Sequence, residues 1–145
     1  MALAKWDSKH LAARYEYWCK RLRLGDWKCR VTFANRTEML EEWGNEGETL
    51  GWCIKQRDHK SAVLRVLNPK TEAETYELCC DKPERVLVHE MLHVAIDPIE
   101  EIVESVIAYL GSEARSIYKG RWRTVKEQVV NQLADALVNR QDAFK

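Results

Sequence analysis

Two histidines and a glutamate in the second half of the chain have the spacing of a metal-binding motif. His89, Glu90 and His93 form the pattern H-E-x-x-H. Four residues are slightly more than one helical turn, so on a helix both imidazoles face the same side and can bind one ion. Glu90 would lie about 100° around the helix, close to such an ion without binding it. We therefore predict zinc on His89 and His93, with Glu90 as the general base for a metal-activated water.

The alternative is a chance motif whose histidines are exposed or hydrogen-bonded to each other. The flanking residues favour the metal, because Val86, Leu87, Val88, Met91, Leu92, Val94 and Ala95 would bury the helix in a core. Two imidazoles and a carboxylate buried without a compensating partner would cost free energy. Two of the four histidines in the chain also fall in this motif.

A catalytic zinc usually has a third protein ligand, and the residues present limit its type. Ile96 and Ile99 stand where a metzincin needs glycine and histidine, and no histidine follows His93. The third ligand is therefore expected to be a carboxylate.

Several carboxylates near the motif are poorly placed for this role. Asp97 continues the face of the motif's own helix, while Glu100 and Glu101 follow the helix break too closely to return to the metal. Glu104 would face water, since about 100° per residue places it roughly 120° from the centre of its helix's apolar arc. That arc is predicted from Ile99, Ile102, Val103, Val106, Ile107 and Leu110.

Glu127 is the preferred third ligand, with Glu104 as second choice. On the last predicted helix Glu127 shares its direction with Ala134 and Val138 to within roughly 20°, at the edge of a buried stripe. A carboxylate at such a position needs a partner, which a metal supplies; the alternative is a solvated or capping glutamate. Asn131, one turn later, is a candidate to support Glu127 or a histidine by a hydrogen bond.

Other polar residues have weaker claims to a role in this site. Candidates for polarising a substrate carbonyl are His59, Tyr109, Tyr118, Arg121 and Arg123, each of which is more simply a surface or packing residue.

The elements that must position these residues follow from apolar spacing and from helix breakers. The first half predicts a helix capped by Asp7 and Ser8, a strand, a short helix, a turn and two strands joined as a hairpin. Their expected ranges are 7–24, 28–34, 37–43, 44–47, and 49–57 with 61–67. Residues 70–80 have no clear pattern.

The second half predicts helices. Asp81, Pro83 and Glu84 resemble a capped helix start for the motif, and Pro98 should end that helix near Ile96. Helices over 99–118, with a potential break at Gly111, and over 123–139 should follow. The order indicates one α+β domain over residues 1–145.

Composition limits the classes of partner. Lys plus Arg and Asp plus Glu each number 23, so the net charge is zero, which argues against a general nucleic-acid or membrane binder. The chain shows no signal-peptide pattern and no stretch of 18 apolar residues. Five cysteines without CxxC spacing are typical of reduced thiols in a cytoplasmic protein.

The segments VLVHEMLHV and KEQVVNQLADAL, separated by a helical insertion, resemble small HExxH metallopeptidase-like proteins often encoded by phages and prophages. These are similar to minigluzincins, minimal gluzincin-type zincin domains. The resemblance covers the second half of the chain best. It implies zinc on His89, His93 and Glu127, Glu90 as general base, and a three-stranded sheet, which the strand pattern predicts to be small and mainly antiparallel. It also implies an edge strand that binds an extended peptide, for which we choose Ser61–Leu67.

The leading hypothesis is therefore a zinc-dependent hydrolase of peptides or proteins in the cytoplasm, that of a bacterial host if the chain is phage-encoded. A second is a binding or inhibitor protein that captures a protein partner with the zinc fold as its scaffold. A third is a domain in which the metal only stabilises the fold. Oligomeric state and substrate are left open by the sequence.

Overall fold

A small mixed sheet with helices packed on it makes up the α+β fold that the sequence predicts. The computed structural model describes residues 2–43 and 49–143, so the turn predicted over 44–47 lies outside the described residues. The strands are β1 (Lys28–Ala34), β2 (Gly51–Gln56) and β3 (Ser61–Leu67). The bounds of β1 and β3 are those predicted, and β2 is shorter at both ends.

The sheet has the order β1-β3-β2. β3 pairs in parallel with β1 and antiparallel with β2, so the sheet is mixed rather than mainly antiparallel. The choice of Ser61–Leu67 as the free edge is wrong, because β3 is hydrogen-bonded on both sides. Its buried residues Leu64, Val66 and Leu67 suit this central place. Among the described strands, β1 and β2 form the edges.

The hairpin predicted between β2 and β3 is confirmed. A single 3₁₀ turn, Arg57–His59, connects the strands, and Lys60 adopts the left-handed conformation with φ 46°. Its amide donates to the carbonyl of Arg57 at 3.1 Å and closes the turn.

The described residues also form an N-terminal 3₁₀ helix (Ala2–Lys5) and six α-helices: α1 (Ser8–Arg21), α2 (Arg36–Trp43), α3 (Ala73–Cys79), α4 (Pro83–Ala95), α5 (Asp97–Ala108) and α6 (Ser112–Ala143). Asp7 caps α1 as predicted, accepting a hydrogen bond from the amide of His10 at 2.7 Å. The segment without a clear pattern contains α3. No helix among the described residues has the length and apolarity needed to cross a membrane.

The start of α4 differs from the predicted capping box. The N-cap is Lys82, and its side chain makes no capping hydrogen bond. Glu84 accepts hydrogen bonds from Trp18 Nε1 at 2.7 Å and Arg14 Nε at 2.8 Å, both on α1. The contact with another helix has replaced the local one, because it satisfies a partly buried carboxylate and an indole N–H together.

The C-terminal helices also differ from the prediction in two respects. α6 is continuous from Ser112 to Ala143, so the helices expected on either side of residues 119–122 are one. The apolar arc predicted for α5 is largely exposed: Ile99, Ile102 and Val106 are 58–66% exposed, and only Ile107 is buried. α5 instead turns its acidic first turn towards the rest of the protein, where its charges have partners.

The core is built around α4, which contacts β2, β3 and α6. Leu87, Val88 and Met91 are fully buried on α4, while Val130 and Ala134 are fully buried on α6. The helical spacing of these residues brings one face of α6 against α4, as the ligand prediction required.

Gly51, at the start of β2, allows the strand to lie against α4. A Cβ atom there would lie 2.7 Å from Val86 Cγ1, 2.9 Å from the carbonyl oxygen of Arg65 and 3.1 Å from Glu90 Cγ. Such distances are too short for carbon, so only glycine fits without displacement.

We expect Gly51→Ala to lower the free energy of unfolding by about 1–3 kcal/mol, since the methyl group overpacks the contact between β2 and α4. Urea denaturation followed by circular dichroism measures this. The control is Gly120→Ala on α6, where a Cβ meets no atom within 4 Å and should stabilise the helix by up to about 1 kcal/mol. Equal stability of Gly51→Ala and the parent would contradict this account of the strand.

Candidate metal centre

Three side chains from two helices converge where α6 lies beside the second half of α4. His89 and His93 come from successive turns of α4, and Glu127 comes from α6. The Nε2 atoms of the histidines lie 3.2 Å apart. Glu127 Oε2 is 3.3 Å from His89 Nε2, and Glu127 Oε1 is 3.2 Å from His93 Nε2. The predicted ligands therefore form one group able to hold a metal ion.

These separations suit a tetrahedral ion. With bonds of about 2.0–2.1 Å to nitrogen and oxygen, neighbouring ligand atoms of a tetrahedral zinc lie about 3.3 Å apart. The histidine Nε2 atoms are 3.2 Å apart, and one ligand atom from each of the three residues lies within 4.8 Å of the other two, which is close enough for one ion. Two histidines and one glutamate are also a ligand set that catalytic zinc uses, leaving the fourth position for water.

The charges of the group are those of a cation site. The hydrogen bonds from His89 and His93 hold the pKa of Glu127 well below its usual range, so this carboxylate is ionised. Burial acts to lower the pKa of His89, but the hydrogen bond with Glu127 and the nearby carboxylates outweigh it and raise that pKa. The negative charge beside the imidazoles thus favours a proton or a metal ion between them.

Glu90 lies beside this group without belonging to it. It is 5% exposed, and its Oε1 is 4.0 Å from His89 Nε2. Burial raises the pKa of Glu90 to about 8, with His89 acting to lower it and Glu127 to raise it. A cation at the adjacent ligands would favour the ionised form again, because opposite charges lower the pKa of a carboxyl group.

The group opens into a cleft of about 360 Å³ between α4, α6 and the edge strand β2. Gly51, Trp52, Cys53 and Lys55 line it from β2. Burial raises the pKa of the Cys53 thiol, and Cys53 does not belong to the ligand group. None of the five cysteines is paired in a disulfide.

A buried charge network fixes the far side of the cleft. Lys55 Nζ donates to the carbonyl oxygen of His93 at 3.0 Å and to Glu100 Oε1 at 2.9 Å, and it lies 2.9 Å from Asp97 Oδ1. Glu100 Oε2 lies 2.9 Å from Lys126 Nζ, next to Glu127 in sequence. The network therefore joins β2, α4, α5 and α6 around the two histidines and Glu127.

Arg57 extends this network to the surface. Its Nε and Nη2 atoms each donate to Asp97 at 3.0 Å, and its Nη1 donates to Glu104 at 3.2 Å. Glu104 is exposed as predicted and lies outside the ligand group. Asp97 and Glu100 are buried with basic partners and likewise do not belong to it.

The remaining candidates do not line the cleft. Asn131 accepts a hydrogen bond from Arg85 at 3.3 Å, so its predicted support of Glu127 or a histidine is not observed. The residues suggested for polarising a carbonyl are exposed and absent from the cleft lining: His59, Tyr109, Tyr118, Arg121 and Arg123. Their helical or turn positions point them to solvent because the buried faces are apolar.

The sequence reasoning did not identify Lys55 and Lys126 as parts of the site. Lys55 interrupts an otherwise apolar strand start, and Lys126 directly precedes the predicted ligand. Their partners Asp97 and Glu100 lie in the first turn of α5. These charges meet only because β2, α4, α5 and α6 approach one another in the fold, which a local sequence pattern does not show.

Comparison with protein-family models, with curated proteins and with solved structures gives no match. The resemblance to minigluzincins therefore stays a prediction that depends on the motif and the spacing of Glu127.

We expect the network to make stability depend on acid pH. Burial acts to raise the pKa of Asp97, but the hydrogen bonds and charges of Arg57 and Lys55 outweigh it and lower that pKa. A lowered carboxyl pKa stabilises the fold above the unfolded value of about 4, and this contribution is lost as the pH falls through the folded pKa. Asp97→Asn should lower the free energy of unfolding at pH 7 by about 1.5–3 kcal/mol.

Urea denaturation at pH 7 and at about pH 3 tests this expectation, and the difference between Asp97→Asn and the parent should shrink at the acid pH. The control is Asp26→Asn, which removes the exposed carboxylate paired with Lys60 and should change stability little. If Asp97→Asn lowers the free energy of unfolding equally at both pH values, the charge of Asp97 does not stabilise the fold.

Proposed function

We propose that this chain is a zinc-dependent hydrolase of peptide bonds. The observation that carries the proposal is the convergence of His89, His93 and Glu127 within reach of one ion, with the buried carboxyl of Glu90 beside them. An open cleft and an edge strand adjoin the same group. Together they supply a metal position, a general base and a place for an extended substrate.

The chemistry divides between the metal and the protein. Held by His89, His93 and Glu127, zinc would polarise a carbonyl oxygen and lower the pKa of a water. Glu90 accepts a proton from that water as its oxygen bonds to the carbonyl carbon, and then donates the proton to the amine as the C–N bond breaks. The low exposure of Glu90 suits both roles, since a buried carboxyl has its two protonation states closer in free energy at neutral pH.

We assign substrate alignment to β2 in place of β3. Among the described strands β2 has a neighbour on one side only, and four of its six residues line the cleft. An extended peptide can add to such an edge through backbone hydrogen bonds, which do not depend on its side chains.

The ligand assignment predicts the metal content of the purified protein. Protein prepared without added metal should contain about one zinc per chain by elemental analysis, as a site with one ion requires. Glu127→Ala should weaken zinc binding by more than the 10–100-fold typical of losing a supporting residue. His93→Ala should do the same.

Glu104→Ala is the matched control, since it removes a glutamate of the neighbouring helix α5 that lies outside the ligand group. It should retain zinc. A metal-free parent would refute the zinc site and favour a protonated histidine pair on Glu127, whereas loss of zinc only in Glu104→Ala would move the third ligand to α5.

If Glu90 is the general base, a variant of this residue should lose catalysis and still bind the metal. Glu90→Gln should keep the zinc and the melting temperature of the parent, because the amide has nearly the same shape. It should lower kcat/KM for a fluorogenic peptide by about 10²–10⁴, the usual contribution of a general base. Cleavage at the parental rate would show that Glu90 is not the base. Capture of a protein partner by parent and variant alike, with no cleavage by either, would instead support the binding-protein hypothesis.

A further inference from the structure

A second and larger cavity, of about 510 Å³, lies between α5 and the first half of α6. Its charged lining is strongly basic, with Arg115, Lys119, Arg123 and Lys126 against the single carboxylate Glu104. The chain as a whole has no net charge, so this excess is local. The cavity is therefore a place where negative charge would be attracted.

The basic residues of this cavity are mostly not neutralised by the protein. Lys119 and Arg123 are exposed, and within residues 2–43 and 49–143 neither has a hydrogen-bond or ion-pair partner. Within the described part of the chain, the Arg115 side chain donates only to the carbonyl oxygens of Ala108 and Leu110, which carry no formal charge. Glu104, the one acidic group, is turned to Arg57 at 3.2 Å. Positive charge thus remains available to a ligand.

The cavity adjoins the metal cleft. Lys126 lines both of them. On α5, Glu100 lines the cleft and Glu104, one helical turn further on, lines the cavity. From Lys126 back to Arg115, α6 covers about 16 Å, which an extended chain of about five residues spans. A peptide leaving the cleft towards this cavity would pass Lys126, which is paired with Glu100, and then Arg123, Lys119 and Arg115.

From this adjacency we propose that the hydrolase prefers peptides with acidic residues about two to six positions to one side of the cleaved bond. The inference rests on the proposed function, since it assigns the substrate class of that same site. The carboxylates would face Lys119, Arg123 and Arg115, while Trp122 and Ile107 offer apolar surface to the stems of the acidic side chains. A nucleic acid fits less well, because it needs a longer basic track than one groove with four cations.

Binding to an uncleavable complex tests the preference directly. The zinc-loaded full chain carrying Glu90→Gln is titrated into fluorescein-labelled peptides of about twelve residues, long enough to cover cleft and cavity. One peptide has glutamates clustered at its N-terminal end and a second has them at its C-terminal end. Each has a matched peptide with glutamines at the same positions. At about 0.05 M salt we expect at least one acidic peptide to bind about tenfold or more tightly than its match, and the advantage to shrink at about 0.5 M.

The double variant Lys119→Glu/Arg123→Glu should abolish this advantage. Its control is Lys9→Glu/Lys20→Glu, which makes the same charge change at exposed positions of α1 and should keep it. An advantage that persists in Lys119→Glu/Arg123→Glu, or is lost equally in the control, overturns the proposal. So does tighter binding of a single-stranded oligonucleotide of equal charge that depends on the same two residues.

The outcomes separate this proposal from the hydrolase proposal. If zinc and hydrolysis are present but acidic and neutral peptides bind alike, only the substrate preference is wrong. If the preference depends on Lys119 and Arg123 while no peptide is cleaved by the parent, the basic groove stands as an acidic-peptide site and the hydrolase proposal fails.

Discussion

The packing of α6 against α4 is the contact on which the candidate site depends. Val130 and Ala134 are fully buried on α6, which contacts α4 along the face that carries Arg85 and His89. This apolar contact sets the rotation of α6 about its axis, since turning the helix by one residue, about 100°, would expose the buried stripe. The same rotation places Glu127, 34 residues after His93, at ligand distance.

Around that contact, hydrogen bonds and ion pairs between charged side chains set the positions of the neighbouring elements more narrowly than apolar packing does. Apolar packing sets which faces meet, whereas hydrogen bonds and ion pairs also require particular distances and angles between atoms. Lys55 joins the edge strand to the backbone of His93, and Glu100 joins Lys55 to Lys126. The metal group is thus enclosed by a frame whose members come from four elements. Glu90 is buried among them, where its carboxyl is kept from bulk water.

The sequence was informative where the constraint is local and weak where it is long-range. The spacing of His89 and His93 and the azimuth of Glu127 follow from helical periodicity alone, and the structure confirms their convergence. Strand bounds were predicted well, but strand order was not, because pairing of β1 with β3 depends on residues more than thirty positions apart. Glu100 was also missed as part of the cleft lining, since local patterns treat charge as surface. The apolar arc of α5 was predicted to be buried and is largely exposed, because a local pattern also treats apolar residues as core.

The helical hairpin of α5 and α6 leaves the site and returns to it. Its connection, residues 109–111, lies at the far end from the ligands, with the exposed side chain of Tyr109. Adding one turn to each helix at that end, roughly seven residues in all, would restore both helices to their original phase. The interval between the second histidine and the glutamate is thus free to vary in steps of about seven. Other chains with the same three ligands would then differ in the number of residues between the second histidine and the glutamate by about seven or a multiple of seven. A search that fixes this number at one value would overlook them.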